Sequence, residues 1–311
     1  MTVPSQSVPS QTVPSVPPHA QVLVDFAPRH DVFVGIDSDG CAFDAMEIKH
    51  QECFTPNTIK WWGLQAVSTY ARETALFVNL YSTSRGLNRW VALKRFFDLL
   101  RDRPEVAERG VEVPAGDELQ AFLDSGYPLS DLGIQQWASE HPGPEIEQCL
   151  LWGAGVNASI ADMVHGVPPF PGVLEALQQM STHADLMVVS ATPGEALQRE
   201  WTEHGLAPYM SVIAGQEMGS KAQHVQFAAN GKYEPDRILL IGDAPGDRDA
   251  ARTAGCLYYP INPHGEIASW RRLRDEAFPR LLEGTYAGEY QDALVAEFEA
   301  LLPADPPWAQ R

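Results

Sequence analysis

Val32-Phe33-Val34-Gly35-Ile36-Asp37-Ser38-Asp39-Gly40 is an apolar run that ends in two aspartates one residue apart. A short apolar run closed by a turn signal reads as a strand buried on both faces, and such strands belong to parallel sheets covered by helices. A second run ends in the same way, in Ile241-Gly242-Asp243-Ala244-Pro245-Gly246-Asp247. Between the two lie Met187-Val188-Val189-Ser190 and an isolated Gly219-Ser220-Lys221. Working outward, residues 32–37, 185–190, 210–214, 237–241 and 256–260 read as short strands, and helices near 172–181, 194–204, 220–229 and 246–254 separate the later ones. The alternation gives an α/β fold with a Rossmann-like parallel sheet. Ligands of such sheets bind outside the carboxyl ends of the strands, where Asp37, Ser190 and Asp243 fall.

Four carboxylates gathered at neighbouring strand ends repel one another by about 4 kcal/mol per close pair at a working dielectric near 20. A cation must therefore sit among them. Carboxylate and carbonyl oxygens without His or Cys suit a hard ion, and Mg²⁺ takes a few protein oxygens while leaving positions for water and a phosphate. Together with the ammonium of Lys221, such an ion would offset a phosphoryl dianion. The nucleophile in this arrangement is a carboxylate, which splits ester hydrolysis into transfer to the protein and then to water.

These residues resemble the haloacid dehalogenase superfamily of phosphohydrolases. Asp37-Ser38-Asp39-Gly40 matches the first signature segment, Ser190 the second, Lys221 the third and Gly242-Asp243 with Asp247 the fourth, so the likeness covers roughly residues 30–45 and 168–262. It implies a Mg²⁺-dependent phosphomonoester hydrolase acting through an aspartyl-phosphate on a small phosphorylated metabolite. Asp37 would attack phosphorus and ligate the ion; Asp39 would serve as acid and base and offer its backbone carbonyl to the ion. Ser190 would hydrogen-bond phosphoryl oxygens, Lys221 would neutralise charge, and Asp243 and Asp247 would hold the metal. Position 41, often Thr in this family, is Cys here.

Other readings of the same residues exist. An Asp after a strand is commonly a turn or cap residue, and Lys221 alone would be an ordinary solvated lysine. Thr192 could cap a helix opened by Pro193, which leaves Ser190 for the phosphate. A phosphomutase uses the same residues and returns the phosphoryl group to substrate. A binding module without turnover is a further possibility, although it would need no acid at Asp39. Dehalogenase and phosphonate-cleaving branches are disfavoured, because neither needs a leaving-group acid of this kind.

The organisation is that of two domains behind a leader. Residues 1–20 repeat Val-Pro-Ser-Gln variants without hydrophobic period and read as disordered. Residues 21–45 and 167–311 form the catalytic core, and 46–166 an inserted α-helical cap. Within the cap, Arg89 to Leu100, Glu118 to Leu123, Asp131 to Trp137 and Glu145 to Trp152 carry helical spacing. Pro168-Pro169-Phe170-Pro171-Gly172 marks the return to the core. The resemblance makes the cap the part that selects the leaving group. Lys60, Arg85, Asn88 and Arg89, next to aromatics, are the first polar residues to test there, although basic stretches usually belong to solvated faces, and the Trp270 to Arg274 stretch is similarly ambiguous. Gly153-Ala154-Gly155-Val156-Asn157-Ala158 mimics a dinucleotide fingerprint but lacks the flanking strands, and reads as a connection between helices. Glu266 to Leu282 and Ala287 to Leu302 read as helices, followed by a loose tail from Pro303.

Charge narrows the partners. With 22 basic and 41 acidic residues the net charge is −19, which repels polyphosphate backbones and disfavours nucleic-acid binding. No run approaches the roughly 20 apolar residues of a membrane span, and the start resembles no signal peptide, so no membrane partner and a cytoplasmic location are expected. The four cysteines have no Cys-x-x-Cys spacing and the nine histidines no metal-ligand spacing. A monomer and a homodimer are equally compatible with the terminal helices.

Overall fold

The computed structural model describes residues 16–310. Five strands form one sheet: β1 (Phe33–Ile36), β2 (Asp185–Val189), β3 (Val212–Ala214), β4 (Ile238–Gly242) and β5 (Leu257–Pro260), in the order β3-β2-β1-β4-β5. Every pairing is parallel, and Ile36 lies opposite both Val188 of β2 and Ile241 of β4. β1 is therefore the centre of the sheet.

Continuous apolar strands bury both faces, and here alternate side chains enter two separate cores. Val34, Ile36, Leu186, Val188, Leu239 and Ile241 pack into one, while Phe33, Met187, Val189 and Leu240 pack into the other. Helices Val173–Met180, Gly194–Glu203, Lys221–Ala229 and Pro245–Ala254 link the later strands, close to where the apolar periods place them. The sheet is thus the α/β arrangement that the strand runs imply.

Between β1 and β2 the chain is helical. Its longer helices are Ser68–Asn79, Arg89–Arg101, Asp131–Glu140 and Pro144–Met163. They close around Ile59, Trp62, Trp90, Phe97, Phe122 and Trp152, with Trp90 and Trp152 meeting edge to face at 5.4 Å between ring centres. Burial of large aromatic surface gives this insertion a core of its own. Its two threads to the sheet run side by side, since the Phe170 amide donates to the Ala42 carbonyl at 2.9 Å.

Several local expectations change. The leader expected over 1–20 lies mostly outside the described residues, but Pro18–Ala20 form a helical turn with Ala20 fully buried. Apolar contact with the second core, which also holds Leu23, outweighs the polar composition of this segment. The glycines at 153 and 155 lie inside the 20-residue Pro144–Met163 helix rather than at a connection, with Gly153 against Trp90 and Gly155 against Asn57. The tail is docked: Thr83 N donates to Pro303 O at 3.2 Å, and Trp308 packs on Phe77 and under the Arg103 guanidinium. A π-helical segment, Lys49–Phe54, which no periodicity signals, opens the insertion. No helix among the described residues is long and apolar enough to cross a membrane.

Candidate active site

Asp37 is the first residue beyond β1, and its amide still donates to Ile241 O of β4 at 3.0 Å, so its backbone is as fixed as the strand. Asp243 follows β4, and Asp247 stands in the first turn of the helix Pro245–Ala254. Asp247 Oδ2 accepts from the Ala244 amide at 3.1 Å, which closes the strand-to-helix turn. Gly242 is required by this closure, because a Cβ there would lie 2.4 Å from Asp247 Cβ. As a result, carboxylate oxygens of Asp37, Asp243 and Asp247 lie within 4.8 Å of one another, and all three residues are buried.

Lys221 enters from the start of the helix Lys221–Ala229, whose Ser220–Gln223 capping box fixes the first turn. Its Nζ lies 2.8 Å from Asp37 Oδ2 and 2.5 Å from Asp247 Oδ1. Ser190, buried at the end of β2, accepts from the Thr192 amide at 3.2 Å and stands on the strand next to Asp37. The expected role of Thr192 as a helix cap is not what the structure contains. Pro193 is the N-cap, and the Thr192 hydroxyl donates to Asp39 Oδ2 at 2.9 Å.

Two contributors, Lys49 and Glu200, escaped the sequence reading, and a third, Arg85, was singled out without its partner. Lys49, at the first position of the π-helical segment, places Nζ 2.6 Å from both carboxylate oxygens of Asp39. Arg85, one of the first residues to test in the insertion, is 3% exposed, not part of a solvated face, and grips Asp243, with Nη2 2.6 Å from Oδ2. Glu200 accepts from the Ser38 hydroxyl at 3.0 Å, and Trp201 Nε1 donates to the same oxygen at 2.9 Å. Of the other polar residues singled out in the insertion, Arg89 turns to Asn157 and Asp131, Asn88 caps its own helix, and Lys60 lies over the Trp61 ring. Trp270 is buried and donates to the Cys41 carbonyl at 2.9 Å.

Gly40 shows how tightly the groups are fitted. Its φ is +77°, and a Cβ there would sit 2.5 Å from Asp243 Oδ2 and 2.9 Å from Arg85 Nη2. Any larger residue would therefore be strained and would also displace the ion pair.

Charge and burial work against each other here. Burial is the largest influence on Asp37 and raises its carboxyl well above the usual range; Lys221 opposes this, while Asp247 and Asp243 add to it. Asp243 is raised for the same reason, against the pull of Arg85. Asp39 goes the other way: burial would raise it, but Lys49 and Thr192 together hold it below the ordinary value. Burial and the neighbouring aspartates raise the Cys41 thiol, which keeps it protonated.

The donor set fits a hard divalent cation. Asp243 Oδ1 is buried and has no hydrogen-bond partner, next to two further carboxylates with oxygens in reach of one ion. A bound cation would favour the ionised carboxylates and so oppose the upward push of burial on Asp37 and Asp243.

Comparison with known proteins bears on the same region. The family model of haloacid dehalogenase-like hydrolases matches residues 129–259. A search of curated proteins finds no match. Among solved structures, a haloacid dehalogenase-like family hydrolase from Streptococcus pneumoniae is 16% identical, with a TM-score of 0.40 over 77% of this chain and 90% of that one. A protein of Lactobacillus delbrueckii subsp. bulgaricus, whose name provisionally gives it as a phosphoglycolate phosphatase, is 17% identical, with a TM-score of 0.47 over 88% and 99%. A subfamily IA hydrolase of the same superfamily from Geobacter sulfurreducens is 16% identical, with a TM-score of 0.38 over 76% and 89%. The family match runs from within the insertion to β5 and stops short of β1, yet β1 pairs with β2 and β4 inside the matched region and delivers Asp37 to its carboxylates. Residues 129–259 of this chain are thus similar to the haloacid dehalogenase-like hydrolases.

Proposed function

We propose that this hydrolase is a Mg²⁺-dependent phosphatase that cleaves a small phosphomonoester through an aspartyl-phosphate on Asp37. The observation that carries this reading is the convergence of Asp37, Asp243 and Asp247 within 4.8 Å, with Lys221 joining Asp37 to Asp247. Charge supports the substrate class. Four carboxylates, those of Asp37, Asp39, Asp243 and Asp247, face three cations, Lys49, Arg85 and Lys221, which leaves one negative charge. A divalent ion reverses that sign and makes the site complementary to a phosphoryl dianion.

In the first step an oxygen of Asp37 forms a bond to phosphorus as the bond to the ester oxygen breaks, and Asp39 gives that oxygen its proton. In the second, Asp39 takes a proton from water, whose oxygen attacks phosphorus and breaks the bond to Asp37, releasing inorganic phosphate. Ser190 and Lys221 hold phosphoryl oxygens during both. When bound by Asp37, Asp243, Asp247 and the Asp39 carbonyl, Mg²⁺ supplies charge stabilisation to those oxygens. Both oxygens of Asp39 are engaged by Lys49 in the structure, so the first step requires Lys49 to withdraw and leave room for the ester oxygen. The insertion that carries Lys49 thereby gates the acid.

The test is hydrolysis of an aryl phosphate with Mg²⁺ and with EDTA. Phosphate release that depends on the ion and vanishes in Asp37→Asn is expected; activity indifferent to both would end this reading. Sugar phosphates that isomerise without releasing phosphate would assign a mutase instead.

A further inference from the structure

Arg85 belongs to the insertion, yet its guanidinium lies in the core. Nε donates to the Asp243 carbonyl at 2.8 Å and to Oδ2 at 2.9 Å, Nη2 to Oδ2 at 2.6 Å, and Nη1 to the Leu80 carbonyl at 2.9 Å. With these donors taken and the side chain buried, Arg85 is not a receptor for a substrate anion. Its fork fills one oxygen of Asp243 and leaves Oδ1 buried without a partner, in a residue whose carboxylate clusters with those of Asp37 and Asp247.

The segment around it is anchored on both sides. Ser84 Oγ donates to Val78 O at 2.7 Å, and the Arg85 amide to Ser82 O at 2.9 Å, so the turn is tied to the preceding helix. Tyr81 donates to Glu47 and stacks on His264, a core residue, at 4.4 Å between ring centres. The Thr83 amide reaches Pro303. A part of the insertion is therefore seated on the sheet domain at the cluster itself.

We infer that Arg85 is a positioning residue for the cation site: by fixing Asp243 so that Oδ1 faces the ion, it makes a complete site depend on the seating of residues 80–88. This rests on the phosphatase reading above, whose ion it serves. A guanidinium so close to a divalent ion also repels it, so the substitution must separate orientation from charge. Arg85→Lys does so. It keeps the positive charge but cannot reproduce the planar fork.

Mn²⁺ binding to wild-type and Arg85→Lys protein, followed by calorimetry and by the spin signal of the free ion, is the measurement. Loss of an outer hydrogen bond to a metal ligand typically weakens the ion by roughly 10- to 100-fold, and a drop of at least about tenfold is expected while circular dichroism stays as in wild type. Equal affinity in the two proteins would overturn the inference. Should the variant fail to fold, amide exchange on the wild-type chain decides: the Arg85 and Leu87 amides are expected to exchange about tenfold more slowly once Mn²⁺ is saturating, and unchanged rates would overturn the inference. Absence of Mn²⁺ binding to the wild-type chain would instead remove the phosphatase reading itself.

Discussion

Two sets of charged side chains meet at the site, and they come from unlike backbone. Asp37, Asp243, Asp247 and Lys221 stand at strand ends and first helical turns of the core, positions set by the sheet topology. Lys49 and Arg85 come from a π-helical segment and a serine-rich turn of the insertion. In the proposed reaction the core set would touch phosphorus, whereas Lys49 and Arg85 hold the carboxylates of Asp39 and Asp243. The proposed reaction thus assigns the chemistry to the part with the regular frame, and its adjustment to the insertion.

The largest expected effect falls on the core set. Asp37→Asn removes the proposed nucleophile and should lower kcat by at least about 10⁴-fold, the scale seen when a covalent group is lost; steady-state phosphate release measures it. Asp39→Asn should cost at least about 10²-fold in kcat, the ordinary scale for general acid–base catalysis. A slower first step than second in single-turnover experiments would place that loss on the leaving oxygen.

For the insertion set the expectation is a shift rather than a loss. Lys49 and Thr192 outweigh burial in holding the Asp39 carboxyl low, so Lys49→Met should move the Asp39 limb of the pH–rate profile upward. A collapse of kcat as deep as that of Asp39→Asn would erase the distinction between the two sets.

The smallest effect concerns a core residue behind the site. Burial first, and Asp39 next, push Glu200 up to about 7 from an ordinary 4.5. The folded chain then keeps a proton that the unfolded chain releases, so this group lowers stability as pH rises from about 4.5 to 7. Glu200→Gln should melt a few degrees above wild type at pH 8, with the gain gone below pH 4.5, and should keep most of its activity. Thermal melting across that range reads the difference; a gain that is the same at every pH would rule out titration of Glu200 as its source.

These contrasts explain what the sequence disclosed. A buried parallel strand announces itself as a continuous apolar run, and the residue after it must sit at the sheet mouth, which is why Asp37 and Asp243 could be paired across two hundred residues of chain. Lys221 was legible from its place near the start of a predicted helix, between the second and fourth segments, a start that the Ser220–Gln223 capping box fixes in the fold. No period marks Lys49, because the π-helical segment around it breaks the 3.6-residue rhythm. Arg85 and Asp243 are 158 residues apart and their contact depends on how the insertion seats, a tertiary fact. The one local hint was the polar run Ser82-Thr83-Ser84 before it, unusual between apolar helices and explained by burial of Ser82 and Ser84. Thr192 and Glu200 were hidden for the same reason, since their partners, Asp39 and Ser38, lie 153 and 162 positions away.

The pairing of Phe170 with Ala42 has a consequence for how such a protein changes over time. A polypeptide that leaves and rejoins a scaffold at neighbouring points can be lengthened, trimmed or exchanged without disturbing the scaffold's own connectivity. A transplanted lid from another source would meet the sheet through the same doorway. It would keep the four acidic groups and Lys221, yet arrive without the guanidinium that Asp243 now leans on, so grafting must carry residues 80–88 along or supply an equivalent arm.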